Sequence, residues 1–128
     1  RDTWTINVLA NVQMIRTLEP LLKASDAGRA IFVGSDLGNT ATPFCGEYGV
    51  SKAAVIMLAN TWASETKHTS LKINTLIPGA VDTEMLATAF PGGYQGDDLR
   101  TPEDIAPLFV ELASPHCTHH GESIRPKD

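Results

Sequence analysis

The sequence predicts an α/β fold built on a parallel sheet with crossover helices. Two observations carry this. Apolar residues switch between helical and strand periodicity in the order helix, strand, helix, strand, helix, strand, and strands separated by helices pair in parallel. The 128 residues are 42% hydrophobic and 20% charged, a composition that can form a packed core and argues against disorder. The length suits one domain or a large piece of one.

The elements follow in order. Trp4, Val8, Val12, Ile15, Leu18 and Leu22 recur every three or four residues, the stripe of an amphipathic helix over 3–24. Pro20 is expected to kink or shorten it near its end. After the turn Asp26-Ala27-Gly28, residues 29–35 read as a short buried strand. Residues 36–46 read as a loop. Residues 47–67 return to helical periodicity. The middle of that helix, Ala53 to Ala59, is apolar almost all round, which predicts burial on more than one side. Residues 71–77 read as a second strand, stopped by Pro78-Gly79. A short helix spans 83–89, capped by Asp82 or Thr83. Residues 90–99 carry Pro91, Gly92, Gly93 and Gly96 and read as a loop. Thr101-Pro102-Glu103-Asp104 is a helix start with an N-cap, an N1 proline and first-turn acids. That helix runs to Ala113 despite Pro107. A last short strand spans 121–125.

Composition excludes several functions. The net charge is -5 and the pI near 5.2, with no concentrated basic patch for nucleic acid. No apolar run approaches the ~20 residues of a membrane span. The first residues, Arg1-Asp2-Thr3-Trp4, do not resemble a secretory signal. Cys45 and Cys117 are the only cysteines; they form no disulfide framework and fit a reducing, cytoplasmic compartment. The chain lacks an initiator Met and opens directly into a helical pattern, so it reads as a fragment.

Tyr48 and Lys52 stand four residues apart and share a helix face. A free tyrosine has a pKa near ~10. A neighbouring ammonium favours the phenolate, and the tuned phenol can serve as general acid or base. By spacing alone, a surface pair is the commoner reading. Ser35 ends the first strand at the carboxyl edge, where open α/β sheets bind ligands. Its hydroxyl can polarise a carbonyl, or simply cap the strand exit. Asn11 lies on the apolar stripe of the first helix and needs a buried partner. Pro78-Gly79 and Thr83 bring backbone N–H groups and a hydroxyl to the same edge, which suits a phosphate or an ordinary capped turn.

Asn11, Ser35, the segment Tyr48-Gly49-Val50-Ser51-Lys52, and Asn74 through Thr83 stand in the order and spacing of the short-chain dehydrogenase/reductase family. The chain resembles the C-terminal half of that family over nearly its whole length. The segment from Ala89 through Ile105 further resembles a bacterial subgroup of uncharacterised oxidoreductases within it. The resemblance implies a Rossmann-like, doubly wound parallel sheet, here its C-terminal portion only, with residues 1–128 as part of one NAD(P)-binding domain. It implies reversible hydride transfer between NAD or NADP and a small-molecule carbonyl or alcohol. By the same likeness, Tyr48 is the catalytic acid/base. Lys52 lowers its pKa and holds the nicotinamide ribose. Ser35 orients the substrate, and Asn11 holds a water in a proton relay from Lys52. Pro78, Gly79 and Val81 face the nicotinamide, and Thr83 contacts its carboxamide or the pyrophosphate. The intact family member is expected to form a homodimer or homotetramer.

The family's glycine-rich pyrophosphate turn has no counterpart among these residues, so the fragment alone is expected to be inactive and to bind dinucleotide weakly. The rival readings are a non-catalytic binding or regulatory module on the same fold, or an inactive remnant. No metal is expected: His116, Cys117, His119 and His120 read as a solvated turn rather than a zinc site. The substrate is not specified, although Phe44, Phe90 and Tyr94 favour an apolar or aromatic pocket.

Overall fold

A computed structural model describes residues 2–127. The chain opens with a helical rod made of α1 (Asp2–Trp4), a π-helical turn (Thr5–Leu9) and α2 (Ala10–Ala24). Then come β1 (Arg29–Val33), a 3-10 turn (Asp36–Gly38), α3 (Gly46–Glu65), β2 (Lys72–Leu76), α4 (Glu84–Ala89), α5 (Pro102–Ala113) and β3 (Ser123–Ile124). The strands form one sheet in the order β1-β2-β3. Both pairings are parallel, with Arg29 opposite Lys72, Val33 opposite Leu76, and Thr75 opposite Ser123.

Both sheet faces are covered, which makes the sheet doubly wound. On one face Phe32 and Ile73 pack with Val55, Ala59, Trp62 and Ala63 of α3, and Ile15 and Leu22 of α2 lean on that cluster. The Phe32 and Trp62 rings meet edge to face, centroids 6.1 Å apart. The indole N–H of Trp62 donates to the Glu19 carboxylate and ties α3 to α2. On the other face Leu76 packs with Ile105 and Leu112 of α5 and with Cys117.

Several expectations change. The first helix runs through Pro20 to Ala24, because the missing N–H forfeits one ladder bond on an exposed side. The loop after β1 contains the 3-10 turn, which Ser35 caps by accepting a hydrogen bond from the Leu37 N–H. Helix α3 buries one face only: Val50 and Met57 stay 60% and 65% exposed. The chain after α5 is a clasp rather than a solvated turn. His120 Nδ1 accepts from the Ile73 N–H at 3.1 Å, and Nε2 lies 2.8 Å from the Ala63 carbonyl. Asn74 donates to the His119 carbonyl and accepts from the Glu122 N–H. Among the described residues no three His, Cys, Asp or Glu side chains converge as metal ligands, and no helix is long and apolar enough to cross a membrane.

Candidate active site

Two glycines bring the turn after β1 onto α3. A β-carbon on Gly38 would stand 2.8 Å from the Ala53 nitrogen and 2.9 Å from the Lys52 carbonyl carbon. One on Gly49 would stand 2.8 Å from the Leu37 oxygen. Backbone therefore rests on backbone, a packing only glycine allows. This contact sets Ser35, just past the end of β1, beside Tyr48 in the first turns of α3, near enough for its hydroxyl to lower the pKa of the phenol. The predicted pair of groups thus meets at the carboxyl edge of the sheet.

Tyr48 is half-buried, and burial pushes its phenol above the usual tyrosine value, while the Ser35 hydrogen bond pulls it back down. Lys52 is also half-buried, and burial lowers its ammonium below the usual lysine value. Its Nζ donates to the Val33 carbonyl at 3.0 Å and stands 5.6 Å from the centre of the Tyr48 ring. The ammonium is fastened to the end of β1 and faces the ring, and the net push on Tyr48 is upward because desolvation outweighs the Ser35 bond.

Both asparagines of the rod are hydrogen-bonded. Asn11 donates from Nδ2 to the Asn7 carbonyl at 2.7 Å, within its own rod. It lines an apolar groove with Met14, Leu18, Phe32 and Trp62. Asn7, one turn earlier, is the amide that reaches α3. Its Nδ2 donates to Ser51 Oγ at 3.1 Å, and Ser51 in turn donates to the Tyr48 carbonyl at 2.7 Å. Ser51 is fully buried beside Lys52. Asn7 sits in the π-helical turn. Such turns inside α-helices recur at functional sites because the extra residue re-aims side chains. The sequence does hold a signal for it, two asparagines one helical turn apart, but the helix register that chooses between them is invisible there.

The segment after β2 reaches the same edge. Gly79 adopts φ +75°, and a β-carbon there would meet nothing nearer than Arg100 Nη1 at 3.9 Å, so the backbone is open to an approaching ligand. Val81 forms a parallel bridge with Arg100. The Arg100 N–H donates to Ala80, and the Asp82 N–H donates to Arg100. These bonds close residues 83–99 into an excursion from the sheet. Thr83 is exposed and caps α4, its hydroxyl accepting from the Leu86 N–H at 3.2 Å. Pro78 directly follows Ile77, whose N–H donates to the Ile124 carbonyl.

Comparison with known proteins adds an independent line. A family profile described as short chain dehydrogenase matches residues 1–92. The oxidoreductase YciK of Escherichia coli K12, itself called uncharacterized, is 36% identical over 112 residues, covering 88% of this chain and 44% of that protein. The solved structure of yciK from E. coli superposes with a TM-score of 0.87 at 32% identity, covering 98% of this chain and 51% of that one. A short chain dehydrogenase of E. coli CFT073, solved in complex with NADPH, gives a TM-score of 0.87 at 32% identity over 98% of this chain and 52% of that one. The chain spans about half the length of the relatives it matches.

Proposed function

Since the chain belongs to the short chain dehydrogenase family, we propose that it carries the proton-transfer half of an oxidoreductase site that interconverts a carbonyl and an alcohol with NADP or NAD. The observation that carries this is the Lys52 ammonium held by the Val33 carbonyl 5.6 Å from the centre of the Tyr48 ring, with Ser35 beside the same phenol, at the carboxyl edge of a parallel sheet. Solved relatives complexed with NADPH and with NADP favour the nicotinamide dinucleotide.

The residues suit that cofactor. Gly79 offers open backbone beside the edge, and Pro78, Val81 and Thr83 continue along it. A bound nicotinamide supplies or accepts the hydride. Tyr48, kept protonated by burial, gives its proton to the substrate oxygen in the reductive direction and recovers it in the oxidative one. Ser35 donates to the same oxygen and orients it between the two hydroxyls. Lys52, held by the Val33 carbonyl, offers its remaining N–H donors to a ribose. Asn7, through Ser51, fixes the turn of α3 that bears Lys52, and we assign it the positioning part first expected of Asn11.

On this reading the stretch is the C-terminal part of one dinucleotide-binding domain, and a glycine-rich turn outside these residues would hold the pyrophosphate. The exposed face of α3 at Val50 and Met57, together with Ile6 and Leu9 on the rod, is suited to a second copy of the protein. The free cysteines fit the cytoplasm. The test is NADPH- and NADH-dependent reduction of a carbonyl panel by the full-length protein. Tyr48→Phe should abolish turnover while leaving dinucleotide affinity in place, and undiminished turnover in that variant would refute the role of Tyr48.

A further inference from the structure

Ser35 is held by more than its own strand. The turn it caps begins at Asp36, whose carboxylate Oδ1 receives a hydrogen bond from Arg125 Nη2 at 2.9 Å. The two residues are 89 positions apart. Arg125 follows Ile124, whose carbonyl accepts from the Ile77 N–H at 2.8 Å, so the guanidinium starts from the carboxyl end of β3. Asp36 lies beyond the carboxyl end of β1, and β2 runs between those strands. The ion pair therefore spans the exit of β2, at the edge where Ser35, Tyr48 and Gly79 gather. Within the turn, the Asp36 carbonyl accepts from the Asn39 and Thr40 N–H groups at 3.0 and 2.9 Å, which fixes the carboxylate and the turn as one unit.

We propose that Arg125 is a positioning residue: by clamping Asp36 it fixes the turn that presents the Ser35 hydroxyl to Tyr48. Both side chains are half exposed, 50% for Arg125 and 59% for Asp36, and exposed pairs contribute little to stability. The clamp therefore acts on the aim of Ser35 rather than on whether the chain folds. It also makes the site sensitive to ionic strength, since exposed charges are screened by salt. The role rests on the pairing of Ser35 with Tyr48 in the proposed reaction.

The experiment is a titration of the Tyr48 phenol by phenolate absorbance in the 128-residue chain. The background is Tyr94→Phe, which leaves Tyr48 as the single tyrosine. Ser35→Ala and Ser35→Gly set the shift that follows loss of the hydroxyl, which is upward. Arg125→Ala should move the midpoint upward by at least half of that shift, with an unchanged melting temperature. The exchange Asp36→Arg with Arg125→Asp should bring it back, and high salt should reproduce the Arg125→Ala curve in the parent. An Arg125→Ala curve superimposed on the parent, with the Ser35 variants shifted, overturns the clamp alone. Curves of all variants superimposed on the parent overturn the Ser35–Tyr48 pairing and the clamp with it.

Discussion

The Lys52 ammonium is bonded to the carbonyl of Val33, the last residue of β1, at 3.0 Å. That bond couples helix α3 to the strand end from which Ser35 departs. It also holds the ammonium 5.6 Å from the centre of the Tyr48 ring. Burial raises the proton affinity of the phenol and Ser35 lowers it, with burial the larger influence.

Burial raises the Tyr48 phenol above its ordinary value of 10.0. In the proposed reaction reduction needs the protonated phenol, so its rate should stay flat through neutrality and fall only above that value. Oxidation needs the phenolate, so its rate should climb with pH over the same range, tenfold per unit below the pKa. Ser35→Ala removes the influence that lowers the pKa and should displace the oxidative limb to higher pH. Initial rates of alcohol oxidation across alkaline pH check this; a limb displaced to lower pH would contradict the assignment.

Gly38 should tolerate no side chain. Alanine there places a methyl group 2.8 Å from the Ala53 backbone nitrogen, and overpacking of this kind costs roughly 1–3 kcal/mol. The turn must lift off α3, so Gly38→Ala should also move Ser35 away from Tyr48. Gly46 is the control: a β-carbon there meets nothing within 4 Å, and Gly46→Ala at the start of α3 should be neutral or stabilising by up to ~1 kcal/mol. Urea unfolding of both variants separates the close-approach argument from generic glycine effects.

The strands, the long helices and the edge that gathers Ser35, Tyr48 and Gly79 were legible in the sequence, because each rests on a local signal. Helix α5 is the clearest case. Its start was read from Thr101-Pro102-Glu103-Asp104, and the capping box closes with Asp104 N–H to Thr101 Oγ at 3.2 Å and Thr101 N–H to Asp104 Oδ2 at 2.8 Å. What escaped the sequence is set by tertiary contact. The π-helical turn that brings Asn7 to Ser51 leaves no periodicity to read. The need for Gly38 and Gly49 appears only once a loop lies on α3. The Arg125–Asp36 pair joins residues that no local pattern relates. The upward direction of the Tyr48 shift follows from its burial, which helical spacing does not specify.

His120 should prove structural. Its Nδ1 accepts from the Ile73 N–H and its Nε2 faces the Ala63 carbonyl at 2.8 Å. With Nδ1 as acceptor, the proton sits on Nε2 and donates to that carbonyl. His120→Ala leaves the N–H of fully buried Ile73 without its acceptor, and an orphaned buried group costs ~1–3 kcal/mol. His119→Ala removes only an exposed pair with Glu122 and should change stability by under about 1 kcal/mol. Denaturant midpoints for the two variants should therefore differ clearly, with His120→Ala the weaker protein. Equal midpoints would return this segment to a solvated turn.

The 128 residues alone should bind dinucleotide weakly. Their glycines at 92, 93 and 96 fall in the excursion before α5 rather than between a strand and the helix that follows it, where a pyrophosphate turn must stand. Only the nicotinamide end of the proposed site is then present. Much of a dinucleotide's affinity comes from its phosphates on a helix N-terminus. Tryptophan fluorescence can report the titration, since Trp62 is buried against Phe32 and Trp4 lies near the π-helical turn that carries Asn7. Quenching by NADPH should not saturate in the micromolar range, whereas the full-length protein should saturate there. Micromolar saturation by the 128 residues would mean that the edge formed by Tyr48, Lys52 and Gly79 holds the dinucleotide without the glycine-rich turn.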